Sequence, residues 1–203
     1  MLAADYQEVF ASHFYHDKTF DSPAVKVFPG EYHVSTDGRL IVTVLGSCVA
    51  ACIRDRKAGF GGMNHFMLPD AGESESSVVG SAARYGSYAM EILINHLLKL
   101  GAARQNLEAK IFGGGNVLSG MTVGNVGPRN AQFVKDYLAM ERIPVVAEDL
   151  LGQEARKVYF FSHTGRVMVK TIREQTKPAV VDREMRYQKR IVVRPISGDA
   201  ELF

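Results

Sequence analysis

The chain has 203 residues, with 24 Lys+Arg against 22 Asp+Glu, 46% hydrophobic and 23% charged residues. These are the values of an ordinary folded protein, and a chain of this length buries roughly 70% of its unfolded surface without staples. No run approaches ~18 apolar residues, Met1–Asp5 lacks the basic and apolar regions of a signal peptide, two cysteines make no disulfide framework, and a net charge of +2 makes no general case for nucleic acid.

A soluble, cytoplasmic, single-domain protein is therefore expected, with no membrane insertion and no nucleic-acid partner. In chain order, residues 1–24 read as an N-terminal arm. His13, Phe14, Tyr15, His16 and Phe20 give it the apolar content to dock on the body. The body runs over residues 25–194, and residues 195–203 read as a C-terminal tail. Strands are predicted over 40–45, 49–54, 62–68, 110–112, 143–147, 157–162 and 166–172. The last two flank His163-Thr164-Gly165, a short hairpin loop. A helix over 85–100 carries Tyr85, Tyr88, Ala89, Ile92, Leu93, His96, Leu97 and Leu100 on one stripe, with Gly101 placed as a C-cap. A second helix starts at Pro128 and runs to about Glu141. Strands with interspersed helices predict an α+β or layered α/β domain.

The segment with most chemistry is Leu45-Gly46-Ser47-Cys48-Val49-Ala50-Ala51-Cys52 followed by Gly62-Met63-Asn64-His65-Phe66-Met67-Leu68-Pro69. Two apolar runs flank a charged turn with glycines, which is a hairpin pattern. A turn centred between Arg56 and Lys57 sets Cys48 opposite His65, with Cβ atoms ~4.5–5.5 Å apart. A one-residue slip would put them on opposite faces. The pairing has a purpose: the thiolate is the nucleophile, a neighbouring imidazole favours it, and the same ring can protonate a leaving amine. Gly46-Ser47 places backbone N–H groups where an oxyanion would develop. Thr43, Ser47 and Asn64 are the polar candidates for orienting the ring. The competing reading is a buried core thiol, since cysteine is among the most buried residues; Cys52 reads that way. In a strand, Cys48 and Cys52 lie ~13 Å apart, too far for a disulfide. In a helix they would be neighbours.

These residues closely resemble the signature of the CheD family, the chemoreceptor glutamine deamidases of bacterial chemotaxis. A second block, Phe112-Gly113-Gly114-Gly115-Asn116 and then Val126-Gly127-Pro128-Arg129-Asn130, is similar to that family's glycine-rich stretch and its Gly-x-Arg-Asn. The resemblance covers about residues 25–193. It implies a layered α/β sandwich similar to the catalytic domain of cytotoxic necrotizing factor toxins. It also implies a Cys–His–Thr centre with Cys48 as nucleophile, His65 as base and Thr43 as the orienting residue, with Ser47 the competing hydroxyl. The implied reaction is hydrolysis of glutamine side-chain amides to glutamate on the cytoplasmic helical bundle of chemoreceptors. A methylesterase side activity and a CheC-type phosphatase partner belong to some relatives, and a non-catalytic adaptor role is the alternative.

The remaining signals point elsewhere. Gly113-Gly114-Gly115 precedes no Gly-Lys-Ser/Thr, so a sharp turn beside the site is expected instead of a phosphate loop. His13 and His16 have metal-ligand spacing but no cysteine or acidic cluster to support them, and neither a metal nor a cofactor is expected. His96 reads as a core histidine and His163 as an exposed one. Residues 166–194 hold nine Lys/Arg against three Asp/Glu. They read as a solvated strand edge or as a surface attracting an acidic receptor face.

Overall fold

The computed structural model describes residues 9–69, 75–117, 126–172 and 177–192. The first eight residues of the expected arm and the whole expected tail lie outside them. Among the described residues, eleven strands form two sheets. The first sheet takes the order β1 (Val9–Phe10), β4 (Glu31–Ser35), β7 (Phe60–His65), β6 (Val49–Asp55), β8 (Leu107–Gly113), β9 (Val145–Leu150). The second takes the order β11 (Arg166–Thr171), β10 (Arg156–Phe161), β5 (Leu40–Leu45), β3 (Ser22–Lys26), β2 (His13–Asp17). Three α-helices are described: α1 (Glu75–Lys99), α2 (Val126–Met140) and α3 (Lys177–Val192).

The layering follows from burial. Strand β6 is Val-Ala-Ala-Cys-Ile-Arg-Asp and is buried almost throughout. A strand covered on both faces has no reason to alternate polar and apolar residues. Helices α1 and α2 cover one face of the first sheet, and the second sheet lies against the other. In the second sheet the alternation is clear. Ile41 and Leu45 of β5 join the main core, while Leu40 and Val42 pack outward with Ala24, Tyr159 and Phe20. Thr43 shares the inward face with Ile41 and Leu45, because side chains alternate along a strand.

The strand prediction for β5 matches the structure residue for residue. Helix α1 starts ten residues before the predicted Tyr85, and α2 is close to its predicted span. The segment read as an arm supplies β1, β2 and most of β3, which pair within the two sheets. The basic C-terminal segment departs furthest from expectation. Only Arg166–Thr171 is a strand, and 177–192 form a helix. His96 is half-buried rather than in the core, with its ring against Phe10 and Tyr32. His163 is exposed as expected.

Candidate active site

Strands β6 and β7 form the expected antiparallel hairpin in a different register. Cys52 opposes Met63, and Val49 bridges Phe66. The turn occupies four residues, Arg56–Gly59, with Gly59 at φ +74°. It therefore centres one residue later than predicted. His65 stands level with Ala50, not with Cys48. A shift of two in the partner preserves the face, so Cys48 and His65 remain on the same side as diagonal neighbours. Diagonal pairs are ~7–8 Å apart at Cα but within reach of longer side chains. The Cys48 sulfur, a His65 ring nitrogen and a Glu184 carboxylate oxygen all lie within 4.8 Å of one another.

His65 faces the second sheet, because its neighbour Asn64 points the other way, donating to the Ala89 carbonyl of α1 at 2.9 Å. On that inner face Thr43 meets it. Thr43 Oγ1 donates to the Val27 carbonyl at 2.7 Å and lies 2.8 Å from His65 Nδ1. A hydroxyl has one proton, so the contact to the ring is made by the Nδ1 proton donating to Oγ1. The neutral ring then presents an unprotonated Nε2. That atom is buried and has no hydrogen-bond partner among the described residues. Ser47, the rival hydroxyl, donates to Glu184 instead, at 2.7 Å.

The loop before Cys48 is held from two sides. Gly114 N–H donates to the Cys48 carbonyl and Gly115 N–H to the Gly46 carbonyl, both at 2.8 Å. Gly113 and Gly114 sit at φ +106° and +63°, which is the sharp turn beside the site expected from the glycine run. Gly127, at the start of α2, must lack a side chain: a Cβ there would lie 2.6 Å from the Gly114 carbonyl oxygen. Asn130 joins the two motif blocks. Its side chain donates to the Ser47 carbonyl and accepts from Leu68 N–H, each at 2.9 Å. Sequence reading placed Asn130 in a family motif but gave it no role. Its amide, buried between the Cys48 loop and the segment after His65, fixes one relative to the other.

The backbone N–H groups of Gly46, Ser47 and Cys48 converge on a carboxylate, that of Glu184 from α3, at 2.8, 2.7 and 3.1 Å. Such a cradle of donors suits a developing negative oxygen. Burial raises the Cys48 thiol well above its ordinary pKa, and the Glu184 carboxylate adds to the rise. Burial pushes His65 down to about 3, the Val27 carbonyl opposes this, and Arg183 adds to the fall. The thiol and imidazole are thus both neutral in this conformation. Cys52 is buried on β6, its thiol raised by burial. Both cysteines are free.

Comparison with known proteins follows the same residues. The model of the family described as "CheD chemotactic sensory transduction" matches residues 67–171. A protein of Janthinobacterium sp. named "Probable chemoreceptor glutamine deamidase CheD" is 57% identical over 197 residues, 97% of this chain and 97% of its own. One of the same name from Methylobacillus flagellatus is 53% identical over 203 residues, the whole of both chains. The chain belongs to the CheD family. The family match of 67–171 takes in the glycine turn, Gly127 and Asn130. Cys48 and His65 lie before it, within the span shared with the full-length CheD relatives. The described helices include none long and apolar enough to cross a membrane.

Proposed function

We propose that this chain is a protein-glutamine deamidase acting on chemoreceptors, with Cys48 as nucleophile, His65 as acid–base and Thr43 as the residue that orients His65. The relatives' name supports the substrate: chemoreceptor glutamine deamidase, at more than half identity over nearly the whole chain. One geometric observation carries the mechanism. Thr43 accepts a hydrogen bond from His65 Nδ1 and so leaves Nε2 with a free lone pair, in a ring that brings a nitrogen within 4.8 Å of the Cys48 sulfur.

The thiol proton passes to Nε2, and the sulfur attacks the side-chain carbonyl carbon of glutamine. The oxyanion is received by the N–H groups of Gly46, Ser47 and Cys48. The imidazolium protonates the amide nitrogen, ammonia leaves, and a thioester remains. Water loses its proton to Nε2, attacks the thioester and releases glutamate and the thiol. Asn130 and the glycine turn keep the N–H groups aimed at one point, and such preorganisation is worth about 2.7–4 kcal/mol per donor in other hydrolases. The reaction takes place in the cytoplasm, where the receptor's helical methylation region lies. A CheC-type phosphatase is the further partner this reading includes.

The test is incubation of a receptor cytoplasmic fragment with the chain. The fragment's mass should rise by about one dalton per site, with one ammonia per site, and Cys48→Ala should do neither. Chain cleavage or crosslinking in place of ammonia release would show a protease or transglutaminase instead.

A further inference from the structure

Helix α3 lies across the active site, and its approach has a defined chemistry. Its buried positions are Val180, Glu184 and Tyr187, with Ile191 partly buried, at helical spacings of four, three and four. Val180 packs with Val117 and Ala155. The Tyr187 ring sits on Gly30, where a Cβ would meet it at 2.9 Å, and the Tyr187 hydroxyl contacts that of Tyr85. Arg183 stacks over Phe28 at 5.4 Å. Asp182, Arg186, Lys189 and Arg190 face solvent. The docked face is narrow and the rest of the helix is charged, unlike α1, which is built into the core.

Between Val180 and Tyr187 the helix inserts Glu184. One carboxylate oxygen accepts from Gly46 N–H and Cys48 N–H, the other from Ser47 N–H and the Ser47 hydroxyl. A Cβ on Gly46 would lie 2.8 Å from that carboxylate. The carboxylate thus fills the donor cradle beside Cys48. A glutamate side chain there is also what deamidation of a glutamine leaves behind. With α3 in place Cys48 is 0% and His65 1% exposed, so no external glutamine reaches either.

Building on the deamidase reading, we propose that α3 is an internal product analogue: Glu184 occupies the site of the product glutamate, self-inhibits the enzyme, and must withdraw before a substrate helix uses the same groove. The groove accepts a helix because a helix already fills it. It selects a glutamyl side chain because the donors it offers are for a carbonyl or carboxylate oxygen at that reach. The neighbouring carboxylate also keeps the Cys48 thiol protonated, so the docked form is chemically idle as well as closed.

Glu184→Gln tests the placement within the chain. The Cys48 sulfur would attack the side-chain carbonyl carbon of the introduced glutamine, His65 would protonate the nitrogen, ammonia would leave, and water would release a glutamate from the thioester. The variant should gain about one dalton with one ammonia, and the Cys48→Ala/Glu184→Gln double variant should gain nothing. Glu184→Ala and Tyr187→Ala test the inhibition. Each should speed iodoacetamide labelling of Cys48 by roughly tenfold or more, equivalent to losing about 1.4 kcal/mol of docking, with Cys52 labelling unchanged as the internal control for folding. Glu184→Ala should also raise kcat/KM on a receptor fragment. Wild-type labelling rates in both variants, with no mass change in Glu184→Gln, would overturn the proposal even if the receptor is deamidated normally. Faster labelling in both variants with no receptor deamidation by any form would leave the occluding helix standing and remove the receptor substrate.

Discussion

Thr43→Val replaces the hydroxyl with a methyl of similar shape, at a position fully closed to solvent. Two hydrogen bonds disappear, one to the Val27 carbonyl and one from His65 Nδ1. A buried group left unpaired costs about 1–3 kcal/mol, so two orphans would set a ceiling of about 2–6 kcal/mol. The structure lowers that figure. His65 Nδ1 already stands 3.4 Å from the Val27 carbonyl oxygen, and a small ring movement lets each orphan satisfy the other. The stability cost should fall to about 1–2 kcal/mol, which for a chain of this size lowers Tm by roughly 2–8 °C. The ring keeps its tautomer but moves away from Cys48. A misplacement of up to ~1 Å can cost about a hundredfold in rate, so kcat should drop roughly 10–100-fold with KM little changed. Thr43→Ser should recover most of the loss. The assays are ammonia release from a receptor fragment and thermal unfolding. Unchanged kcat in Thr43→Val would refute the orienting role, and activity as low as that of His65→Ala would show that Thr43 does more than hold a ring.

Cys48→Ala should abolish turnover and keep the fold, while Cys52→Ala, on the strand beside Lys110 and Met63, should keep most activity; circular dichroism and ammonia release check both. Asn130→Ala removes partners from the Ser47 carbonyl and Leu68 N–H, so kcat should fall by roughly tenfold or more and Tm should drop, each orphan costing about 1–3 kcal/mol; wild-type values for both would refute its positioning role. The Cys48 thiol sits above its ordinary pKa of 9.0 in the docked form, so docking holds its proton and weakens as pH rises past about 9; alkylation of Cys48 should lag a free thiol below that pH, and Glu184→Ala should shift the profile down. His65 at about 3 rather than 6.5 stays neutral where the unfolded chain is protonated, so stability should fall as pH drops from 6.5 toward 3; His65→Gln should flatten that part of the Tm profile, and an unchanged slope would contradict it.

The catalytic candidates were readable because their elements carry strong patterns. Leu40–Leu45 is a β-branched run with one hydroxyl on its inner face, and the two apolar stretches around residues 56–61 carry a hairpin pattern, which the structure bears out over the helical alternative for Cys48 and Cys52. Register was not readable. Arg56-Lys57-Ala58-Gly59 allows more than one turn centre, and only Gly59 at positive φ decides it. Cys48 and His65 survived the shift because a move of two preserves the face. Strands β2 to β4 were missed because His, Tyr, Asp, Lys and Glu break the apolar alternation there, and pairing across the sheets overrides it. Glu184 was invisible for another reason. Its contacts span 136 to 138 residues, and α3 buries only a few apolar positions among many charges, so it resembled exposed surface.

Whether the Cys48 sulfur forms a thioester with a glutamine side chain can be read by interception with hydroxylamine. A receptor fragment is incubated with the chain in the presence of hydroxylamine and then mapped by mass spectrometry. A thioester partitions between water and the added amine, so target glutamines should carry hydroxamate as well as glutamate, and both should vanish with Cys48→Ala. Glutamate alone at every hydroxylamine concentration, or conversion that persists without Cys48, would contradict the thioester.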